Sequence, residues 1–193
     1  TIIAPGIVLF AFCFLTFGSG MILARDRDSA LLSRLLTAPL RARDFTLSYS
    51  LPFIPFAIVQ TVLIFGVGAI LGLENAGSAG IVILVIFVMS IGYIGLGMIM
   101  GSIFTEKQLG GFFAVIILLT AFGGAWMELE VFGGVFKAVM DALPFAHALY
   151  ATREVLVNGA GFSTVAVDFY WVLGYAILFF ALGTFLFRRK MVG

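Results

Sequence analysis

Side chains that could do acid–base or metal chemistry occur together only between residues 128 and 154. This segment holds the chain's one histidine, His147, with Glu128, Glu130, Arg153 and Glu154. A histidine and carboxylates could bind a metal or move a proton, but their spacing alone does not bring them together. A solvated hairpin at the membrane surface, with Arg153 and Glu154 at the lipid headgroups, explains the same residues. This second interpretation is favoured, and no metal site is predicted.

The cysteine and the lysines also give no pattern typical of a catalytic or nucleotide-binding site. Cys13 is the only cysteine and lies in an apolar run, so it can form neither an internal disulfide nor a multi-cysteine metal site. Its expected role is that of a small buried apolar residue. No lysine stands in the GxxxxGK[ST] pattern of a phosphate-binding loop. The sequence therefore predicts a protein that is not an enzyme by itself, and any step driven by nucleotide hydrolysis would need a partner.

The composition indicates an integral membrane protein. Hydrophobic residues make up 62% of the chain and charged residues 11%, with a mean hydropathy of +1.18. Crossing a bilayer takes about 20 apolar helical residues. Five runs approach or exceed this length: residues 2–23, 47–73, 80–104, 109–127 and 169–187. We predict an all-α integral membrane protein with five transmembrane helices, forming a single domain over residues 1–193.

The longest charged segment, residues 25–45, lies between the first two runs. Its leucines share one face of a helix, because they recur at the spacing of successive helical turns: Leu31, Leu32, Leu35 and Leu36. Asp28 or Ser29 can cap the start of this helix, and Pro39 ends it. An amphipathic helix over about residues 28–38 is predicted at the membrane surface.

A second non-spanning region lies between residues 128 and 168. Two short amphipathic pieces flank Pro144, and neither is long enough to cross a bilayer. Apolar pieces of this length are typical of interfacial or re-entrant segments. We predict an external re-entrant helical hairpin over about residues 131–157.

The basic residues predict the orientation of the spans. Alternation through five spans places nine of the eleven Lys and Arg residues on the side of the 25–45 segment, and leaves Lys137 and Arg153 opposite. Because cytoplasmic loops carry an excess of Lys and Arg, that side is assigned to the cytoplasm. The chain is expected to start outside and to end inside, and an upstream span outside this sequence would explain the external start.

Within the spans, the polar residues are uncharged. The absence of a charge at midspan argues against a proton- or ion-coupled carrier. Gln60 could face a substrate path, although a bond to a neighbouring helix is the favoured interpretation. Two GxxxG pairs predict close approaches between helix backbones: Gly97 with Gly101, and Gly68 with Gly72.

These features together resemble the permease subunits of ABC-2 type transporters. The resemblance rests on Arg27-Asp28-Ser29, Leu31-Leu32, the stretch from Arg34 to Pro39 and Arg41; on Pro5-Gly6; and on Leu143-Pro144-Phe145 with Arg153. It covers essentially the whole chain. The family normally has six spans, so this chain would start at the second of them.

The resemblance implies roles for specific residues. The helix at 28–38 would be a coupling helix that docks on a soluble ABC ATPase through Arg27, Asp28, Leu31, Leu32, Arg34, Leu35, Leu36, Pro39 and Arg41. The hairpin would be an outer gate containing Phe136, Pro144, His147 and Arg153. A substrate path would pass Gln60 and Tyr93.

The resemblance also implies the assembly. No cofactor is expected in this chain, with ATP and Mg bound by the ATPase. The other expected partners are a second permease copy, as a homo- or heterodimer, membrane lipid and a hydrophobic small molecule, and no nucleic acid. The location would be a bacterial or archaeal cytoplasmic membrane.

The function favoured by this reasoning is ATP-driven export of an amphipathic drug-like or lipid-like compound. A polysaccharide or glycolipid export permease of the same family is one alternative. A secondary carrier or channel without an ATPase, and a scaffold that only anchors a cytoplasmic partner, are the others. For the 28–38 helix, the alternative to docking is a helix that rests on anionic headgroups.

Overall fold

The computed structural model describes residues 2–27, 29, 42–73, 76–126 and 134–191, and over these ranges it is helical without strands. In chain order the helices are α1 (Ala4–Arg27), α2 (Ala42–Ser50), α3 (Phe53–Ile70), α4 (Ala79–Ile103), α5 (Glu106–Thr120), α6 (Gly134–Asp141), α7 (Pro144–Asn158) and α8 (Phe162–Met191). A π-helical turn, Ala121–Ala125, continues α5. The predicted all-α class is confirmed.

Five helical segments in the described ranges are long and apolar enough to cross a membrane. They are Ala4–Arg27, Thr46–Ile70, Ala79–Ile103, Glu106–Ala125 and Phe162–Arg189. This count confirms the predicted five-span fold class. The last segment begins at Phe162 rather than at residue 169, because the helix continues through Asp168, a charge that a partner in α7 accommodates.

Helix α4 is the centre of the bundle, and α1 packs along one side of it. A Cβ on Gly97 would overlap the Ser19 side chain, and one on Gly101 would lie 2.5 Å from the carbonyl oxygen of Gly20. Only glycine allows the two backbones to come this close. The close approach predicted for the Gly97–Gly101 pair is therefore confirmed.

For Gly68 and Gly72, the predicted close approach to another helix is not found among the described residues of this chain. A Cβ on Gly68 would meet only Leu73, a near neighbour in the chain. Gly72 follows the end of α3 with a φ of 85°, a left-handed conformation that favours glycine. In the described part of the chain, this pair therefore lies at the end of a helix and packs on no other helix.

Helix α8 packs on the other side of α4, again through small residues. A Cβ on Gly95 would lie 2.8 Å from the Phe180 nitrogen, and one on Gly183 would lie 3.0 Å from Met98 Cβ. With neighbours on both sides, 67% of the apolar stretch of α4 is buried. The apolar core follows this α1–α4–α8 layer.

Helix α3 is peripheral. Only 6% of its apolar stretch is buried within the chain, so α3 presents most of its surface outward. Apolar grooves of about 400 Å³ lie along it, one lined by Ile7 of α1 and Leu63 of α3, the other by Phe65 of α3 and Val82 of α4. At its start, Leu51 and Pro52 form a turn between α2 and α3, where Pro52 lacks the N–H that a continuous helix would need.

The bundle has two chemically different ends. We call the end that holds the C-termini of α1, α4 and α8 the basic end, and the end that holds α7 the hairpin end. Basic residues described at the basic end are Arg25, Arg27, Lys107, Arg188 and Arg189. A bond from Arg27 to Ser102 and the ring contact of Tyr49 with Phe187 bring the helix ends together there.

Candidate functional site

At the basic end, a hydrogen bond joins the last turn of α1 to α4. Arg27 Nη1 donates a hydrogen bond of 2.9 Å to the carbonyl oxygen of Ser102, one of the carbonyls that the end of α4 leaves without a helical partner. Ser29 Oγ donates to the carbonyl oxygen of Asp26 at 2.7 Å. Arg27, predicted as an ATPase contact, therefore also joins two spans.

Helix α2 is also hydrogen-bonded to the basic end of the bundle. Tyr49 OH donates to Asp26 Oδ2 of α1 at 3.0 Å, and the Tyr49 ring lies 6.2 Å from the ring of Phe187 in α8. Ser50 Oγ donates to Met98 Sδ of α4 at 3.0 Å. The chain therefore leaves the bundle after α1 and re-enters it at α2 at one common end.

Most of the predicted coupling helix falls between these two attachments. Its residues Asp28, Leu31, Leu32, Arg34, Leu35, Leu36, Pro39 and Arg41 lie outside the described residues. Their docking role stays a prediction.

At the hairpin end, α7 is the element that connects the spans. Pro144 occupies its first turn, where the missing N–H costs nothing, and Leu143 before it is extended. The face containing Phe145, Leu149 and Leu156 is buried against the bundle. At its C-terminus, Gly159 has a φ of 69°, and Ala76 N–H before α4 donates to the Leu156 carbonyl oxygen at 3.0 Å.

Arg153 of α7 binds the broken end of α5. Its Nη2 donates to the Gly124 carbonyl oxygen at 2.7 Å, and its Nε donates to the Ile2 carbonyl oxygen at 3.0 Å. Gly124 has a φ of 102°, so the helix is interrupted there and its last carbonyls lose their helical partners. A guanidinium suits this position because it offers several donors and a positive charge to a helix C-terminus. Arg153 therefore has backbone partners in the bundle, and its location at the lipid headgroups stays a prediction.

His147 pairs with a carboxylate that was not among the predicted site residues. Its Nδ1 lies 2.6 Å from Asp168 Oδ1 of α8, and its ring lies 5.1 Å from that of Trp171. Glu154, one of the glutamates considered with His147, instead accepts a bond from Asn158 Nδ2 at 2.8 Å. The described residues contain no group of three potential metal ligands, and Glu128 and Glu130 lie outside them.

The junction between α6 and α7 is bound to α8. Ala142 O accepts a bond of 2.9 Å from Tyr175 OH, and Trp171 Nε1 lies 3.4 Å from the same oxygen. Tyr175 is about 20 Å along α8 from its start at Phe162, given a rise of 1.5 Å per residue. Phe136 of α6 contacts the ring of Phe122 at 5.9 Å. Entry of this hairpin into a membrane stays a prediction.

Tyr93, one of the two predicted path residues, lies in the packed centre. Its hydroxyl is 2.8 Å from Thr120 Oγ1 of α5, and its carbonyl oxygen accepts a bond of 2.7 Å from Thr16 Oγ1 of α1. Cys13 Sγ donates to the same Thr120 oxygen at 3.3 Å. These side chains join α1, α4 and α5 midway through the bundle.

Gln60, the other path residue, has a buried amide oxygen. Its Oε1 has no hydrogen-bond partner within the part of the chain that the structure describes. The favoured interpretation, a bond to a neighbouring helix, is therefore not observed for this oxygen. A buried acceptor without a donor is costly, so Oε1 is a position at which a ligand's donor would be stabilised.

Sequence reasoning missed three residues that shape these sites: Thr120, Gly124 and Asp168. The Gly123-Gly124 pair late in an apolar run was an available signal for an interrupted helix. The lone acid at Asp168, just before an apolar run, was a weaker one. Nothing in the spacing of Thr120 indicated its partners.

A profile of the ABC-2 type transporter family matches residues 1–157. The chain is 27% identical over 195 aligned positions to the daunorubicin resistance ABC transporter permease protein DrrB1 of Streptomyces coeruleorubidus, covering 96% of this chain and 68% of that protein. It is 22% identical to the inner membrane transport permease YhhJ of Escherichia coli K12, and 25% identical to the linearmycin resistance permease protein LnrN of Bacillus subtilis 168.

The alignments with YhhJ and LnrN cover 90% and 91% of this chain, but 47% and 46% of the relatives. The chain therefore spans about half the length of these two permeases. No solved structure gives a significant match to the chain.

Proposed function

The chain belongs to the ABC-2 type transporter family, and from this membership we propose that it is the permease subunit of an ATP-driven exporter of amphipathic compounds. ABC-2 permeases are membrane subunits that work with a separate ABC ATPase. In this proposal the ATPase binds ATP and Mg, and the permease chain supplies the path across a bacterial cytoplasmic membrane.

A drug-like or lipid-like substrate is the favoured class. Two of the relatives are named for resistance to daunorubicin and to linearmycin. The grooves along α3 are lined mainly by apolar side chains, which suits a compound that partitions into lipid. Gln60 Oε1, elsewhere on α3, is a buried acceptor that could orient a donor group of the substrate, and Tyr93 lies deeper in the bundle.

The coupling proposal is supported by one observation: the helices on both sides of the 28–41 segment, α1 and α2, are hydrogen-bonded to the basic end of the bundle. Asp26 accepts the Tyr49 bond, while the neighbouring Arg27 binds Ser102 of α4. A force applied between these flanks would reach α1, α2 and α4 together. The basic end is proposed to face the cytoplasm, where apolar leucines would fill a groove on the ATPase and flanking arginines would set the register.

Export would then proceed by rigid rearrangement of two permease copies on two ATPases. Closure of the ATPases would move the coupling helices and tilt the spans, and the hairpin with Phe136, Pro144, His147 and Arg153 would open the outer side. In this scheme the hairpin end faces outward, and the coupling and gating residues lie at opposite ends of one bundle.

The experiment is co-purification of an ABC ATPase with the full-length permease. We compare a variant with Leu32→Asp and Leu35→Asp with a control carrying Ser33→Asp and Thr37→Asp, which adds equal charge on the other helix face. Loss of two apolar anchors, at about 1.5–3 kcal/mol each, predicts at least a hundredfold weaker association for the leucine variant. The control variant should retain most of its ATPase.

Equal recovery of the ATPase with both variants would contradict the docking assignment. Absence of vanadate-sensitive ATP hydrolysis with the wild-type permease would overturn the proposal as a whole, and flux that follows an ion gradient would point to a secondary carrier. Membrane insertion of each variant is checked by its yield in the washed membrane fraction.

A further inference from the structure

The bonds made by Arg153 define a connection between elements that are far apart in the chain. One guanidinium joins α7 to the start of α1, through the Ile2 carbonyl oxygen, and to the interrupted end of α5, through the Gly124 carbonyl oxygen. We call this pair of bonds the Arg153 bridge. The Ala125 carbonyl oxygen lies 3.4 Å from the same Nη2 and reinforces it.

The segment held by the Arg153 bridge closes directly on α1. A Cβ on Gly6 would overlap the carbonyl group of Ala125, so α1 and the π-helical turn are in backbone contact. Beside this contact the rings of Phe10 and Trp126 meet edge to face at 5.5 Å. We call these two contacts together the outer contact. It covers the hairpin end of the interface between α1 and α5.

Below the outer contact, α5 is held in a different way. Thr120 Oγ1, one residue before the π-helical turn, is bonded to Cys13 of α1 and Tyr93 of α4. Only residues 121–123 separate this fixed point from Gly124, the residue of this segment that the Arg153 bridge holds and whose φ is 102°. A π-helical turn with such a glycine is a common place for a helix to bend. The short segment is therefore the part of α5 that can move.

From this arrangement we propose that Arg153 is a positioning residue for the outer opening. It holds the π-helical turn on α1, and release of its bonds lets that turn swing about Thr120 and opens the interface between α1 and α5 from the hairpin end. Arg153 acts through α5 and requires no contact with substrate. That Arg153 holds the π-helical turn on α1 does not depend on the function proposed above. That this contact controls export does depend on it.

The chain contains its own reporter for this opening. Cys13 is the single cysteine, is fully buried, and lies seven residues below Gly6, two helical turns along α1. We expect opening of the outer contact to let a maleimide reach this sulfur from the hairpin end. The measurement is the rate at which N-ethylmaleimide modifies the proteolytic peptide that contains Cys13, followed by mass spectrometry on membranes containing the full-length protein without ATPase or substrate.

Arg153→Ala is expected to raise this rate about tenfold or more, equivalent to about 1.4 kcal/mol in the closing equilibrium. Arg153→Lys should give a smaller increase, because an ammonium keeps the charge but cannot span the same carbonyls in a fixed fork. Lys137→Ala is the matched control. It removes a positive charge from the same hairpin, where Lys137 faces Asp141 at 3.9 Å and makes no described bond to α5.

Equal rates for wild type and Arg153→Ala would overturn the proposal, as would an equal increase in Lys137→Ala. A general loss of folding is recognised by gel filtration in detergent, and the milder Arg153→Lys variant then decides: a rate equal to wild type rejects the proposal. If labelling responds as expected while ATP-dependent export is absent, the Arg153 bridge stands and the proposed function fails.

Discussion

Replacing Gly97 by alanine tests whether the α1–α4 contact holds the bundle together. The added Cβ would overlap Ser19 Oγ and would lie 2.5 Å from the carbonyl oxygen of Thr16. Ser19 can rotate, but Thr16 O belongs to the backbone and cannot move alone. The two helices must therefore separate by about 0.5 Å to bring that contact to about 3 Å, the shortest ordinary approach.

This separation has a calculable effect on the neighbouring hydrogen bond. Thr16 Oγ1 donates to Tyr93 O across the same interface at 2.7 Å, and a shift of about 0.5 Å would take it to about 3.2 Å, beyond the usual range for O–H···O. Overpacking costs about 1–3 kcal/mol, and the weakened bond about 0.5–1.5 kcal/mol. We expect Gly97→Ala to lower the free energy of unfolding by about 2–4 kcal/mol.

The assay is reversible unfolding in mixed micelles, followed by far-ultraviolet circular dichroism. Gly110→Ala is the control, because a Cβ at Gly110 of α5 meets nothing within 4 Å. Adding Ser19→Ala to Gly97→Ala should recover only part of the loss, since the clash with Thr16 O persists. A stability equal to that of Gly110→Ala, or full recovery in the double variant, would refute the backbone-contact argument.

Three further outcomes are expected. Tyr93→Phe should cost about 1 kcal/mol in the same unfolding assay, because the hydroxyl bond to Thr120 is lost while the ring packing remains, and an unchanged stability would contradict this role. Asp168→Asn should speed hydrogen exchange in the first turns of α7 about fivefold, since the bond to His147 weakens, and exchange at the wild-type rate would show that the pair is not what holds α7. Tyr49→Phe should leave ATPase binding intact but lower substrate-stimulated ATP hydrolysis by the complex, because α2 loses its bond to α1; unchanged stimulation would exclude a coupling role.

The spans were predictable because crossing a membrane imposes a length and an apolar composition that a sequence displays directly. The α2–α3 break was predictable for a local reason as well, since Pro52 lacks the N–H that a continuous helix needs. Helix packing was not predictable in the same way. Gly68 and Gly97 begin identical GxxxG patterns, yet only Gly97 meets another helix, because the outcome depends on the partner surface.

The partners of the side chains in the candidate sites were not predictable from the sequence either. Arg153 in a short amphipathic helix is compatible with a lipid headgroup or with a backbone carbonyl, and the sequence nearby does not distinguish them. Its actual partners lie 29 and 151 residues away, at Gly124 and Ile2. Likewise His147 finds Asp168 only once α7 lies against α8. Pairings of this range depend on the assembled bundle rather than on local pattern.

The Arg153 bridge also bears on how the chain is made. A ribosome delivers Ile2 and Gly124 well before Arg153, and the sequence separation of 151 residues between the first and last members is a large part of the sequence. During that interval the carbonyl oxygens of Ile2 and Gly124 lack the hydrogen bonds that Arg153 later donates. Unsatisfied backbone groups are costly in lipid, so these carbonyls must stay hydrated until α7 arrives. Synthesis from the N-terminus therefore makes completion of the hairpin end a late step of biogenesis, after insertion of the four described spans that precede α7.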